Sequence, residues 1–156
     1  MESLDSFRHL FKYDHWANQE SLRSISSLST TNERALKIAG HIVGAQRVWL
    51  GRLEAPGGAP PAPWPFMTLE ETCAAFSELH ERWNLFLSSL GPERLDEDIV
   101  HRNTKGAEFR VPIRDILMQL VLHGAYHRGQ IAAEIRGAGG NPSATDYIVY
   151  VRRHGN

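Results

Sequence analysis

The sequence predicts an all-α fold: a four-helix bundle with a small β-hairpin between the third and fourth helices. Four segments of about 20 residues repeat apolar residues at three- and four-residue steps, which is the period of an amphipathic helix. Residues 96–112 instead show short alternating runs around "NTKG", which is typical of a hairpin. The 156 residues are 42% hydrophobic and 22% charged, the balance of one globular domain. We therefore expect residues 1–156 to form a single domain in which the helices share one core.

Cap and breaker residues give approximate bounds for each element. Thr68 and Glu71 have capping-box spacing at the start of the third helix, and Pro112 suits the first turn of the fourth. The stretch "APGGAPPAPWPF" (55–66) cannot form a regular helix or a central strand, so we predict a semi-rigid connection. The tail "TDYIVYV" is apolar, but its periodicity does not choose between helix and strand. The predicted helices span about residues 6–28, 32–53, 68–90 and 112–136.

The second helix carries two further signals. Thr30 and Glu33 have the spacing of a capping box at its start. Gly40 and Gly44 lie inside it, where each glycine costs about 1 kcal/mol relative to alanine. We expect the close approach of a neighbouring helix to compensate. Because the connection to the first helix is short, we also expect the first two helices to be antiparallel neighbours.

Three of the eight histidines fall on inward helix faces. His123 and His127 continue the apolar stripe of the fourth helix and lie one turn apart, while His41 lies on or beside the inward face of the second helix. A buried imidazole without a partner costs a few kcal/mol, whereas a divalent cation would accept all three lone pairs. We therefore predict a metal site of His41, His123 and His127. The alternative, three histidines that each find separate hydrogen-bond partners, remains open.

The spacing of the histidine pair also occurs in metallopeptidase helices. Those helices carry a glutamate directly after the first histidine, where this chain has Gly124. A peptidase of that class is therefore not predicted.

The remaining histidines and the single cysteine give weaker signals. His15 and His80 occupy boundary positions and are the candidates for a fourth ligand, if the site is closed. Cys73 could pair with His80 as a nucleophile, but a lone cysteine is more often buried packing. We predict solvated positions for His9, His101 and His154.

Four stretches together resemble one known family: "YDHWAN" at 13–18, "GHIVGAQRVWL" at 40–50, "LHGAYHRGQI" at 122–131 and "TDYIVYVR" at 145–152. They resemble the DinB/YfiT-like superfamily over nearly the whole chain. The resemblance implies a four-helix bundle in up-down-down-up order and a homodimer formed through bundle faces. It implies a nickel, zinc or iron ion held by one histidine of the second helix and two of the fourth, which here are His41, His123 and His127. It also implies a thiol-dependent transferase or isomerase, with bacillithiol, mycothiol or a related low-molecular-weight thiol as cofactor.

Three neutral imidazoles would leave coordination positions open, which is the pattern of a catalytic metal site. Such an ion could lower the pKa of a bound water to about 7, giving a hydrolase. It could equally hold a substrate thiol as the nucleophilic thiolate, giving S-transfer or isomerisation. The resemblance favours the thiol chemistry. A metallohydrolase, with Asp14 or Glu134 as a supporting carboxylate, and a non-enzymatic metal-binding dimeric bundle are the alternatives.

Several residues near these motifs could border a substrate pocket. Asn18, Trp16 and Tyr126 could line its mouth, with core packing as the alternative for Trp16. Arg128 could bind an anionic group of a thiol cofactor or form an ordinary surface ion pair.

The overall charge and the cysteine content bear on partners and location. With a formal net charge of −1, the chain lacks the excess positive charge that is typical of nucleic-acid-binding proteins. The start "MESLDSFRHL" lacks the features of a signal peptide, and no apolar run approaches the length of a membrane span. One cysteine cannot form an intramolecular disulfide. We expect a cytoplasmic protein that acts on a small molecule, without nucleic-acid or membrane partners.

Overall fold

The computed structural model describes residues 3–103 and 105–155, which are mostly helical with one two-stranded antiparallel sheet. Each of the four predicted helices begins and ends within two residues of its expected bounds, and the apolar tail forms a further short helix. The elements are α1 (Leu4–Ser26), α2 (Glu33–Glu54), α3 (Leu69–Ser89), a 3-10 turn (Pro92–Asp96), β1 (Asp98–Arg102), β2 (Glu108–Pro112), α4 (Ile113–Gly137) and α5 (Tyr147–His154).

Of the two capping boxes predicted at helix starts, the structure confirms one and contradicts the other. The capping box of Thr68 and Glu71 is present at the start of α3. The capping box predicted from Thr30 and Glu33 is wrong, because α2 starts after Asn32, whose side chain accepts a hydrogen bond from the third helical N–H. Asparagine is among the best N-cap residues, and it stands directly before the first turn.

The packing of the long helices differs from one expectation. α1 packs mainly against α3 and α4, and α2 also packs mainly against α3 and α4. α1 and α2 make few direct contacts, so the prediction that they are close neighbours is wrong. The connection 27–32 is long enough to carry the chain across the core instead. In the part of the chain that the structure describes, no helix is both long and apolar enough to cross a membrane.

The predicted hairpin is present and packs on the helices. β1 and β2 pair antiparallel, with Ile99 opposite Val111. Of the predicted "NTKG" turn, Thr104 lies outside the described residues; Asn103 accepts hydrogen bonds through its side chain from the N–H groups of Lys105 and Ala107. Ile99 is buried in the common core, so the hairpin covers one end of the α2–α4 groove.

Candidate metal centre

The three predicted ligand histidines come together between α2 and α4. His123 Nε2 lies 3.1 Å from His41 Nε2 and 3.1 Å from His127 Nε2. All three ligand atoms lie within 4.8 Å of one another, and no fourth His, Cys, Asp or Glu from residues 3–103 and 105–155 joins the group. His127 is buried, and the other two imidazoles are half-buried.

Hydrogen bonds on the far sides of two rings determine which nitrogens face the centre as lone pairs. His41 Nδ1 donates to the carbonyl of Pro63 at 2.7 Å, and His127 Nδ1 donates to Gln130 Oε1 at 2.7 Å. Each neutral ring therefore presents an unprotonated Nε2 to the centre. A single proton on His123 Nε2 could serve only one of these two neighbours. The three inward Nε2 atoms therefore carry more lone pairs than protons. This arrangement suits a divalent cation.

The surroundings of His41 and His123 favour the neutral forms of their imidazoles. Burial, followed by the neighbouring His127 and His41, lowers the pKa of His123 to about 4. Burial also lowers the pKa of His41, although its hydrogen bond to the Pro63 carbonyl opposes the shift. Near neutral pH both rings are therefore in the form that binds metal ions.

The proline-rich segment 55–66 forms one wall of the site, which the sequence did not predict. Trp64 stacks flat on His41, with ring centroids 3.6 Å apart and an interplanar angle of 8°. A Cβ atom at Gly44 would lie 2.4 Å from the Pro63 carbonyl oxygen, and one at Gly40 would lie 3.1 Å from another loop carbonyl. The two glycines therefore admit the backbone of this loop, and not a neighbouring helix as we expected. The only sequence signal was the glycine pair beside a histidine.

Gly44→Ala is expected to lower metal affinity about tenfold or more, because the added methyl group pushes Pro63 away from α2 and His41 loses its orienting carbonyl. Gly51→Ala is the matched control, since a Cβ atom there meets nothing within 4 Å on the same helix. Competition with a chromophoric chelator measures both variants. Equal affinities in the two variants would contradict a role for the loop in positioning His41.

A buried ion pair joins α1 and α4 close to the histidines. Arg128 Nη1 lies 2.6 Å from Asp14 Oδ1, and these residues are 1% and 3% exposed. Asn18 bonds to both partners, and Gln46 of α2 donates to the Asp14 carboxylate at 2.8 Å. Burial alone would lower the pKa of Arg128, but Asp14 raises it above its ordinary value. A Cβ atom at Gly124 would lie 2.6 Å from Asp14 Oδ1, so this glycine makes room for the pair.

This network corrects three expectations. Arg128 neither forms a surface ion pair nor presents its charge to an anionic ligand, and Asp14, a candidate supporting carboxylate of a metallohydrolase, is held in the core by Arg128. Asn18 lies in the buried network and does not line a pocket mouth. Glu134, the other candidate carboxylate, pairs with Arg34 at 3.2 Å.

The two aromatic candidates for the pocket mouth have different positions. Trp16 is half-buried and packs against Tyr150 and His154, so it belongs to the α1–α5 contact. Tyr126 is exposed, but its ring centroid lies 5.0 Å from that of His127. Of the two, Tyr126 borders the metal centre.

His15 and His80 form a separate pair. Their rings stack with centroids 3.9 Å apart and an interplanar angle of 16°, and neither belongs to the three-histidine group. Neither is placed to be a fourth ligand of that group. Cys73 is exposed, so the prediction that it is buried packing is wrong. The reason is that it lies on the solvent face of α3, between the buried Thr72 and Ala75.

The three histidines predicted to be solvated differ from one another. His154 is exposed. His101 is half-buried with its ring against Trp49, and His9 is half-buried with its ring against Tyr150. For His9 and His101 the prediction is wrong, because α5 covers His9 and because β1 packs on α2, which brings His101 against Trp49.

His15→Gln is expected to reduce the proton uptake on unfolding by up to about one proton between pH 6.5 and 4. Burial, and then the neighbouring His80, lowers the pKa of His15 to about 4, with Asp14 opposing the shift. The unfolded chain titrates near pH 6.5, so below that pH it binds more protons than the folded chain, and the free energy of unfolding falls as the pH falls. Urea unfolding of the metal-free protein across this range measures the slope. His154→Gln, which removes an exposed histidine, is the control; an unchanged slope in His15→Gln would contradict the prediction.

A cavity of about 230 Å³ opens beside the metal centre. His41, His123 and Pro63 border it on one side, and Trp49 and Gln119 border it on the other. Small molecules could therefore reach two of the three candidate ligands.

Comparison with known proteins supports one relationship. The model of the DinB family matches residues 2–154. "Protein DinB" of Bacillus subtilis strain 168 is 35% identical over 83 residues, which cover 53% of this chain and 47%, about half, of that protein. The uncharacterized protein YrdA of the same organism is 26% identical over 145 residues, covering 88% of this chain and 84% of that protein. A crystal structure of a DinB-like protein from Bacillus cereus has a TM-score of 0.69 at 19% identity, covering 92% of this chain and 97% of the other, and shows a shared fold.

Proposed function

Because the chain belongs to the DinB family, as its motifs predict, we propose that it is a divalent-metal-dependent enzyme that acts on a small molecule. His41, His123 and His127 would hold the ion. One observation carries the proposal: three inward imidazoles come together without a fourth His, Cys, Asp or Glu among the described residues, and two of them, His41 and His123, border an open cavity. Three protein ligands beside accessible space are typical of catalytic rather than structural metal sites.

Thiol-dependent S-transfer or isomerisation fits the surroundings better than hydrolysis. A nickel, zinc or iron ion bound here would supply Lewis acidity and favour the thiolate form of a low-molecular-weight thiol. A hydrolase would need a protein base, but Asp14 is held by Arg128 and Glu134 is paired with Arg34. The chain's own contribution is to orient His41 through the Pro63 carbonyl and to shield its ring with Trp64.

Incubation of the metal-loaded protein with low-molecular-weight thiols and a chlorinated electrophile tests this function. We expect thioether formation, with release of chloride and a proton, to be faster than in the uncatalysed reaction and to stop when a chelator is added. Mass spectrometry of the products measures it, and His123→Ala is the control. Metal uptake without chelator-sensitive turnover for any thiol would favour the non-enzymatic metal-binding bundle.

The order of the helices and the oligomeric state are also part of this proposal. The shared core of the four long helices supports a single-domain bundle, and membership of the DinB family supports the up-down-down-up order that the resemblance implies. Exposed Leu122 and Tyr126 on α4 support a homodimer through that face. A molecular mass of one chain in sedimentation equilibrium would contradict the proposed homodimer. A cytoplasmic location also remains a proposal.

A further inference from the structure

We propose that the cavity at the histidines continues into a second cavity beside the hairpin, and that this cleft binds an uncharged apolar or aromatic tail of the substrate. The inference rests on the proposed function, since a donor atom of the same substrate would lie at the metal centre. It adds the class of substrate and the residues that select it.

The two cavities are adjacent and share two lining residues. Trp49 of α2 and Gln119 of α4 line the cavity of about 230 Å³ that contains His41 and His123. The same two residues line a neighbouring cavity of about 430 Å³. Phe109 and Val111 of the hairpin also line this second cavity. Both volumes are of the size that holds parts of small ligands.

The helix geometry sets the length of the cleft. Trp49 follows His41 by eight residues on α2, which corresponds to about 12 Å along the helix axis. Gln119 precedes His123 by about one turn on α4, so it lies between the metal centre and the hairpin. A substrate must therefore place its tail about 10 Å from its donor atom to reach the aromatic end of the cleft.

The lining favours an apolar tail. Trp49, Phe109, Val111 and Ile116 supply most of the outer wall, and Phe109 is 46% exposed although it is a large aromatic residue. A ligand tail that covers it would remove apolar surface from water.

The charges along the cleft select against an anionic tail. Asp115 is the charged residue in the described lining; no Lys or Arg side chain lines either cavity there, and the guanidinium of Arg52 is stacked on the Trp49 ring, 4.5 Å from its centroid. Burial, followed by the nearby Arg52, lowers the pKa of His101, so that ring adds no positive charge near neutral pH. The groove on the other side of Trp64 contrasts with this, since two cations, Arg34 and Lys37, line it together with one carboxylate, Glu134. An anionic group therefore has a more favourable location outside the proposed cleft.

A length series of thiols tests the cleft. The probes are phenylalkanethiols with one to six methylene groups, added to cobalt(II)-loaded protein, and the sulfur-to-cobalt charge-transfer absorption reports binding. We expect the longer members to bind about tenfold more tightly than the shortest one, because the ring then reaches Trp49 and Phe109. Alkanethiols of matched length that end in a carboxylate should show no such gain, because the apolar outer wall would remove the carboxylate from water without a cation in the described lining to pair with it.

Two variants change the cleft without touching the histidines. Phe109→Ala removes the aromatic wall, and Gln119→Trp fills the passage between the two cavities. Both should abolish the gain with chain length, and Phe109→Ala, whose side chain lines only the second cavity, should also leave the affinity for the shortest thiol unchanged. Leu85→Ala, which truncates an exposed apolar side chain on α3, should behave like the unmodified protein.

The outcomes separate the two proposals. A protein that takes up no cobalt at the histidines overturns the proposed function, and the cleft inference with it. Cobalt uptake with thiol affinities that do not depend on chain length, or a gain that survives both Phe109→Ala and Gln119→Trp, overturns the cleft alone.

Discussion

His123→Ala is expected to lower the affinity for zinc or nickel by at least about 100-fold, because loss of an orienting partner alone typically costs 10- to 100-fold. His123 is the central member of the group, since its Nε2 lies 3.1 Å from the Nε2 atoms of both His41 and His127. Without it, one nitrogen of α2 and one of α4 remain, and the two helices no longer share a central ligand. Elemental analysis of the purified protein and competition with a chromophoric chelator measure the loss.

The control must separate loss of a ligand from loss of the fold. His154→Ala removes a histidine that is exposed on α5 and should keep the metal content of the unmodified protein. In the metal-free state His123→Ala should unfold at a urea concentration close to that of the unmodified protein, because the imidazole is half-buried and its hydrogen-bond partners among the described residues are the other two histidines. Equal metal content in the two variants would refute the site.

The sequence predicted the elements that lie on regular helical periods. Apolar residues at steps of three and four defined the long helices, and the same steps placed His123 and His127 one turn apart on the core face of α4. His41 followed from its position beside Ile38 on α2. These predictions succeed because one helix face is buried along its whole length, so position along the helix determines burial.

The sequence could not predict contacts made by irregular segments. Residues 55–66 have no period, so nothing in them indicates that the Pro63 carbonyl and the Trp64 ring meet His41. Gly40 and Gly44 signalled that something approaches α2 closely. Only the folded chain shows that the approaching group is a loop backbone, because loop docking depends on long-range packing.

The buried charges were missed for a different reason. Periodicity assigns charged residues to the solvent face, and Asp14 and Arg128 violate that assignment together. A weak signal did exist: Asp14 and Asn18 lie one turn apart on α1, as do Gly124 and Arg128 on α4. A glycine one turn before an arginine leaves space for its guanidinium, but it does not identify the partner.

Asp14→Ala is expected to lower the free energy of unfolding by about 3–5 kcal/mol, the largest stability loss that we predict for one substitution. The change leaves the guanidinium of Arg128 in the core without its carboxylate, and the amide of Gln46 loses its acceptor. Removing one partner of a buried pair is more costly than removing both, because an uncompensated charge remains desolvated. Urea unfolding at neutral pH, without metal, measures the loss.

The double variant Asp14→Leu with Arg128→Met tests whether desolvation is the cause. Replacing both charges with apolar side chains should cost much less than Asp14→Ala, because no buried charge is then left alone. Gln46 and Asn18 would still lack a partner, so a residual loss of about 1–3 kcal/mol is expected. If the double variant is less stable than Asp14→Ala, the pair stabilises the fold by direct attraction beyond its desolvation cost. If Asp14→Ala costs less than about 1 kcal/mol, well below the loss expected when a buried pair is broken, then water reaches Arg128 and the network does not hold α1 against the helix that carries His123 and His127.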